Sequence, residues 1–244
     1  MISKNQMKFV RSLQLKKNRD THNCFIAEGE RIIDELLNSD YNVLDLFATK
    51  HWQEAEYTGD YISRISENEL ERISALKTPN KVLAVVEKPN NDLNFGFLNK
   101  GLTLVLEDIK NPGNLGTIIR VCDWFDVENI ICSFSTVDLY NPKVIQATMG
   151  SFTRVNLFFT DLDKVISDLP KDYPIYGAFT DGMNVVKTKL EANSLLIMGN
   201  ESYGISEKIE SLVNNKISIP PKRNGAESLN VAVATSILLH EFSK

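Results

Sequence analysis

Three short blocks hold the residue types from which a reaction can be built. The first runs Glu107-Asp108-Ile109-Lys110-Asn111-Pro112-Gly113-Asn114-Leu115-Gly116-Thr117-Ile118-Ile119-Arg120. Two acids end an apolar run, a Pro-Gly turn follows, and Asn114 falls where a helix N-cap is expected. Arg120 is i+4 from Gly116 and i+3 from Thr117, so its guanidinium projects over a bare stretch of helix, free to meet a phosphate or a hydroxyl. The second block is Gly199-Asn200-Glu201-Ser202-Tyr203-Gly204, directly after the apolar run 195–198. Its glycines allow backbone to approach a ligand closely, and Glu201 can accept from an amine or a hydroxyl. The third is Ser228-Leu229-Asn230, with Ser228 in the place of an N-cap for the apolar helix that follows. Taken singly, each block is as ordinary as a turn between a strand and a helix.

The elements that must position these blocks are legible from periodicity. From Leu102 onward, apolar runs at 102–106, 129–132, 155–159, 175–179, 195–198 and 217–219 read as strands. Helical patterns lie between them, at 115–125, 142–149, 162–169, 206–213 and 229–242. Continuous rather than alternating hydrophobicity predicts a parallel sheet buried on both faces. Two strand ends, two polar loops and a helix start fall within the last quarter of the chain. In open α/β sheets, ligands sit at strand C-terminal ends beside such turns, so this stretch reads as the floor of a ligand site. The last helix is apolar nearly all round, which predicts burial by core alone or by core and a second copy.

The first hundred residues carry a separate α/β alternation: helices at 5–15, 29–37 and 67–76, strands at 24–27, 43–48, 61–65 and 82–86. Residues 88–100, with Pro, Gly and four Asn, break the pattern. The expected division is a domain over 1–90, a linker over 91–100 and a second domain over 101–244.

Composition narrows the class. Of 244 residues, 43% are hydrophobic and 24% charged, the balance of a globular protein. No apolar run approaches the ~18 residues of a membrane helix, and the N-terminus lacks a signal-peptide core, so the cytoplasm is the default. Cys24, Cys122 and Cys132, like His22, His51 and His240, are scattered, which suggests neither disulfides nor a metal site. A net charge of −5 argues against nucleic-acid binding by the whole surface. Residues 1–20, however, carry Lys4, Lys8, Arg11, Lys16, Lys17 and Arg19 against the single acid Asp20, a local basic arm suited to phosphates.

In this order, the three blocks resemble the SpoU (TrmH-like) family of RNA ribose methyltransferases, in the SPOUT superfamily. The resemblance rests on Asn-x-Gly-x-x-x-Arg at 114–120, Gly-Asn-Glu-x-x-Gly at 199–204, and Ile219-Pro220 followed by Ser228-Leu229-Asn230. Asp138-Leu139-Tyr140-Asn141-Pro142-Lys143 with Met149-Gly150 resembles the family's middle segment. Residues 21–87 are similar to its N-terminal substrate-binding domain, related to a ribosomal-protein-like fold. Pro221, Gln146 and Ser151 depart from the usual pattern.

The resemblance implies a small N-terminal α/β domain that binds RNA and a C-terminal parallel-sheet SPOUT domain tied in a deep trefoil knot. It implies S-adenosylmethionine as cofactor, no metal, a homodimer, and methyl transfer to a ribose 2′-oxygen. It places Arg120, Asn114, Glu201, Ser228 and Asn230 in the active site. Met198, Gly199, Asn200, Ile219, Leu229, Phe179 and Thr180 fall at cofactor-binding positions; Arg120 and, from the basic arm, Lys16, Lys17 and Arg19 are expected to face RNA. Ribosomal RNA of the large subunit is the expected substrate. The alternatives are tRNA, a base nitrogen as methyl acceptor, and an RNA-binding protein of the same fold without turnover.

Overall fold

The computed structural model describes the whole chain except residues 1, 53–61, 90–95, 97, 99, 224 and 226. The expected strand start at Tyr61 and most of the expected linker 91–100 lie outside the described residues. By density of contacts the chain divides into two compact units. One comprises Met1–Asn90 and Asp138–Thr153, the other Asn91–Val137 and Arg154–Lys244.

The first unit begins with helix α1 (Lys4–Ser12), closed by a capping box in which Ser3 and Gln6 satisfy each other's backbone amides. A second helix follows, α2 (Lys16–His22), which apolar periodicity did not predict. Its sequence, Lys-Lys-Asn-Arg-Asp-Thr-His, has no apolar stripe at all. It ends at Asn23 with φ of 51°, the left-handed position asparagine tolerates. Then come β1 (Cys24–Glu28), α3 (Glu30–Leu37), β2 (Val43–Ala48), β3 (Ile62–Arg64), α4 (Glu67–Ile73) and β4 (Val82–Glu87). The sheet order is β1-β4-β2-β3, with β4 antiparallel to both its neighbours. On one side, Val10, Leu13, Ile26, Phe47, Leu70, Ile73, Leu83 and Val85 form the core. Elsewhere in this unit Phe25 meets Tyr140 and Phe152, at 4.6 and 5.9 Å between ring centroids. Helix α6 (Pro142–Thr148) packs against β1 there.

Arg19 sits inside this unit, only 2% exposed. Its Nη1 donates to the carbonyls of Leu13 and Gln14, each at 2.9 Å, and its Nε and Nη2 reach Asp138 Oδ2 at 3.2 and 2.7 Å. The expectation that Arg19 faces RNA is therefore overturned: its donors are turned inward and water does not reach it. Lys16 and Lys17 are exposed on the same helix.

The second unit is a six-stranded sheet, ordered β10-β8-β9-β5-β6-β7 and parallel at every pairing. Its strands are β5 (Thr103–Leu106), β6 (Asn129–Ser133), β7 (Asn156–Thr160), β8 (Ile175–Asn184), β9 (Leu195–Met198) and β10 (Asn215–Ser218). Val105, Ile131, Ile175, Leu195 and Ile197 supply core side chains from four of the six, as continuous apolar runs demand of a sheet covered on both faces. The helices are α5 (Pro112–Trp124), α7 (Leu162–Ser167), α8 (Glu207–Glu210) and α9 (Val231–Phe242), with α9 packed on α5. β8 runs five residues beyond its expected end: after Lys216 pairs with Gly177, the register jumps so that Ile217 pairs with Met183.

Candidate active site

The C-terminal ends of β10, β8, β9 and β5 lie side by side in the sheet, and the three sequence blocks emerge there. How they meet depends on where two helices begin. Helix α5 starts at Pro112, which needs no donor at the first helical position. Asn111, not Asn114, is its N-cap: Asn111 Oδ1 accepts from the amides of Gly113 and Asn114 at 2.8 and 3.2 Å. Helix α9 likewise starts at Val231, so Asn230, not Ser228, caps it, with Oδ1 accepting from the amides of Ala232 and Val233. Both expected caps are displaced, and the side chain of Asn114 is released for other work.

That work is a chain of amides with a fixed direction. Because the Asn230 oxygen is committed to the helix cap, its Nδ2 points outward and donates to Asn114 Oδ1 at 3.0 Å. The Asn114 nitrogen then donates to Glu201 Oε1 at 2.9 Å. Glu201 also receives the backbone amides of Asn111 at 3.3 Å and Lys110 at 3.4 Å. Partial burial works to raise the Glu201 pKa, but the Asn114 side chain and these backbone amides outweigh it and hold the carboxyl below its usual range. Three sequence blocks, separated by 87 and 116 residues, thus join in one relay that ends on an ionised carboxylate.

The Gly199–Gly204 turn is folded on itself. Asn200 and Gly204 exchange backbone hydrogen bonds at 2.9 and 3.0 Å, and Gly204 adopts φ of 75°. A Cβ on Gly199 would stand 2.2 Å from the Gly204 carbonyl carbon, so only glycine closes the turn. The constraint comes from the protein's own backbone. Asp108, in the left-handed region at φ of 58°, holds the turn from outside. Its carbonyl and Oδ2 accept from Asn200 Nδ2 at 2.8 and 3.2 Å, and Oδ2 also takes the Tyr203 hydroxyl. Lys110 Nζ lies 2.5 Å from Asp108 Oδ1. Burial opposes ionisation of Asp108, yet these partners hold its pKa below the usual carboxylate range. The hydrogen bond to Asp108 pushes the Tyr203 hydroxyl up to about 12.

Arg120 is exposed on α5 and makes no hydrogen bond or ion pair with the described residues. It lies six residues beyond Asn114, about 9 Å along the helix axis. Ser228 is exposed and Leu229 is 48% exposed. Met198 is buried, Ile219 and Phe179 are half-buried, and Thr180 is exposed in the stretch of β8 where its register with β10 jumps. The sequence assigned no role to Asp108, Lys110, Asn111 or Tyr203. The pair of acids closing β5 was visible, but which carboxylate holds the turn was not.

The residues suit S-adenosylmethionine. Strand ends β8, β9 and β10 are contiguous, and each carries an apolar residue at or near its end or in the turn that follows, beside polar backbone. Leu229 leaves apolar surface uncovered there. Adjacent apolar side chains and free backbone groups are what an adenosine moiety needs. Among the described residues no cluster of side chains is suited to a metal.

Residues 101–240 match the model of the SpoU rRNA Methylase family, and residues 4–84 match the MRM3-like substrate binding domain. The 23S rRNA (guanosine(2553)-2′-O)-methyltransferase RlmP of Bacillus subtilis is 28% identical, over 98% of this chain and 96% of its own. A solved structure of a TrmH-family protein from Porphyromonas gingivalis is 33% identical with a TM-score of 0.89, covering 99% of this chain and 98% of its own. The SpoU methyltransferase AviRb of Streptomyces viridochromogenes, solved with AdoMet, shares the fold at a TM-score of 0.85 and 23% identity, over 99% and 97% of the two chains.

Proposed function

The chain belongs to the SpoU rRNA methylase family, and we propose that it transfers the methyl group of S-adenosylmethionine to a ribose 2′-hydroxyl of ribosomal RNA, most simply of the large subunit. The observation that carries this reading is the relay Asn230–Asn114–Glu201, with Arg120, unpaired among the described residues, on the helix that holds Asn114. A binding protein without turnover has no need of an ionised carboxylate held in place by side chains from three distant segments.

The bound cofactor supplies an electrophilic methyl on a sulfonium centre. Met198, Ile219 and Leu229 offer apolar surface to its adenosine, and the backbone of the 199–204 turn offers hydrogen bonds, with Asn200, Phe179 and Thr180 at the margin. A ribose hydroxyl is a poor nucleophile, so its position relative to the methyl decides the rate. Arg120 presents a planar fork of donors suited to phosphate. Its role is to hold the neighbouring phosphate and to stabilise negative charge developing on the 2′-oxygen. Glu201 keeps the Asn114 carboxamide in one orientation, and Asn230 keeps it from turning over. Ser228, with its hydroxyl uncommitted to the helix cap, is available to the substrate or the cofactor.

The same reading carries a homodimer, a trefoil knot and a cytoplasmic location. Trp124 is 84% exposed on α5, and Val233 is 48% exposed on α9, the helix packed against it. Apolar surface of that kind on two adjoining helices favours burial against a second copy. A monomeric mass at micromolar concentration in light scattering overturns the dimer. In support of the knot, β10 lies at the sheet edge beside β8, while α9, which follows it, packs on α5. Lys16 and Lys17 are exposed and suited to phosphate contact.

The test is transfer of labelled methyl from S-adenosylmethionine to RNA from cells lacking the protein, with Arg120→Ala in parallel. Label in nuclease-resistant dinucleotides of ribosomal RNA, with wild type alone, is the expected result. Label in tRNA, or in a base, refutes the substrate. Binding of cofactor and RNA with no transfer refutes the enzyme.

A further inference from the structure

We propose that the ring of Tyr203 is a stacking platform for an unpaired base of the RNA beside the target ribose, continued by Lys110 and Phe134. The inference rests on the methyltransferase reading for its ligand. Its physical basis is separate from the relay.

Tyr203 is 61% exposed although its hydroxyl is bound to Asp108. One end of the ring is fixed while its faces remain open to solvent. A free surface tyrosine loses rotamer freedom when it takes a partner; one already held by its hydroxyl has little left to lose. Its anchor is fixed in turn. The Asp108 amide donates to Ser133 Oγ at 2.9 Å, and Asp108 accepts from Asn200. The other carboxylate oxygen meets Lys110, whose Nζ also donates to the Ser135 carbonyl at 2.8 Å. Phe134, next to Ser135 in the chain, is 74% exposed. One carboxylate and one ammonium therefore bridge two loops, each carrying an uncovered aromatic ring. Tyr203 is two residues from Glu201, and the Lys110 amide itself donates to Glu201.

Through Glu201, which takes both the Lys110 amide and the Asn114 side chain, this surface adjoins the relay where RNA would be held. Sequence-tolerant and sequence-specific RNA recognition both use aromatic faces for unstacked bases, with a cation for the adjacent phosphate. The Lys110 side chain is 58% exposed and supplies that charge.

Tyr203→Ala removes the ring, whereas Tyr203→Phe removes only the hydroxyl. RNA affinity is read by fluorescence anisotropy, KM for RNA by methyl transfer, cofactor affinity by calorimetry and assembly state by light scattering. Tyr203→Ala should weaken RNA binding and raise KM for RNA at least roughly fivefold, the low end of what loss of one stacked base costs. Cofactor affinity should stay within about twofold, and Tyr203→Phe, which keeps the ring but frees it from Asp108, should lose clearly less RNA affinity than Tyr203→Ala. Unchanged RNA affinity in Tyr203→Ala overturns the platform. So does an equal loss of cofactor binding in both variants, which would make the hydroxyl a brace for the turn and nothing more. A shift in assembly state would assign the ring to contact between copies instead. If wild type binds RNA but transfers no methyl, the enzyme reading fails while the affinity comparison still decides the platform.

Discussion

Replacing Arg19 with methionine tests whether this residue holds the fold or touches RNA. Methionine matches the aliphatic stem and carries no donor. The substitution leaves the carbonyls of Leu13 and Gln14 without their partner, and leaves Asp138, whose side chain is 15% exposed, with an unpaired carboxylate. Removing one member of a buried ion pair costs about 3–5 kcal/mol. Asp138 keeps some access to water and still accepts from the Tyr140 amide at 3.3 Å, so the low end, about 3 kcal/mol, applies. At about 2–4 °C per kcal/mol for a chain of this length, the melting temperature falls by roughly 6–12 °C. Circular dichroism reads the transition, and filter binding well below it reads RNA affinity across salt concentrations. Replacing Lys16 and Lys17 with glutamine should do the reverse, flattening the salt dependence of RNA binding by about 1 unit of slope per lost contact with little change in melting. A melting temperature within 1–2 °C of wild type for Arg19→Met, together with a flattened salt slope, would show that the guanidinium reaches phosphate and that the burial argument is mistaken.

Gly199→Ala should abolish closure of the 199–204 turn, since the new methyl would meet the Gly204 and Ile205 backbone at 2.2–2.3 Å. Cofactor affinity should fall at least roughly tenfold, the equivalent of 1.4 kcal/mol, while Gly225→Ala, with nothing within 4 Å, serves as the silent control. An unaltered dissociation constant for Gly199→Ala would remove the turn from the cofactor site. The depressed Glu201 carboxyl gives a pH signature of known sign: its stabilising effect is present above the ordinary carboxylate pKa of ~4.3 and is lost as pH falls through its lower value in the folded chain. Glu201→Gln should therefore be less stable than wild type at neutral pH, and the two should converge in acid. A constant gap down to acid unfolding would separate Glu201 from the amides around it. For Tyr203 the sign reverses: the neutral phenol is favoured by Asp108, so its contribution persists below the ordinary tyrosine pKa and is lost as pH rises toward about 12.

The sheet of the second unit was legible because its strands are buried on both faces and carry runs such as Leu195-Leu196-Ile197-Met198, whose bounds the structure repeats. The order of the blocks, too, was present in the chain itself. Helix α2 was not legible, because Lys16–His22 has no apolar period; its helix is held by Arg19 turning inward to carbonyls and to a carboxylate 119 residues away. Sequence alone placed the caps at Asn114 and Ser228, because a shift of two or three residues in the start of α5 or α9 exchanges a cap for a site residue. Packing settled that start: Pro112 opens α5 with Asn111 before it, and Val231, buried, opens α9 with Asn230 before it. Once the caps are assigned, every amide in the relay has only one orientation left. Residue types and spacing thus determined which side chains were candidates and that they lie at strand ends. Only the tertiary structure decided which of them meet and which way their hydrogen bonds run, because each such bond joins segments whose separation in sequence carries no local signal.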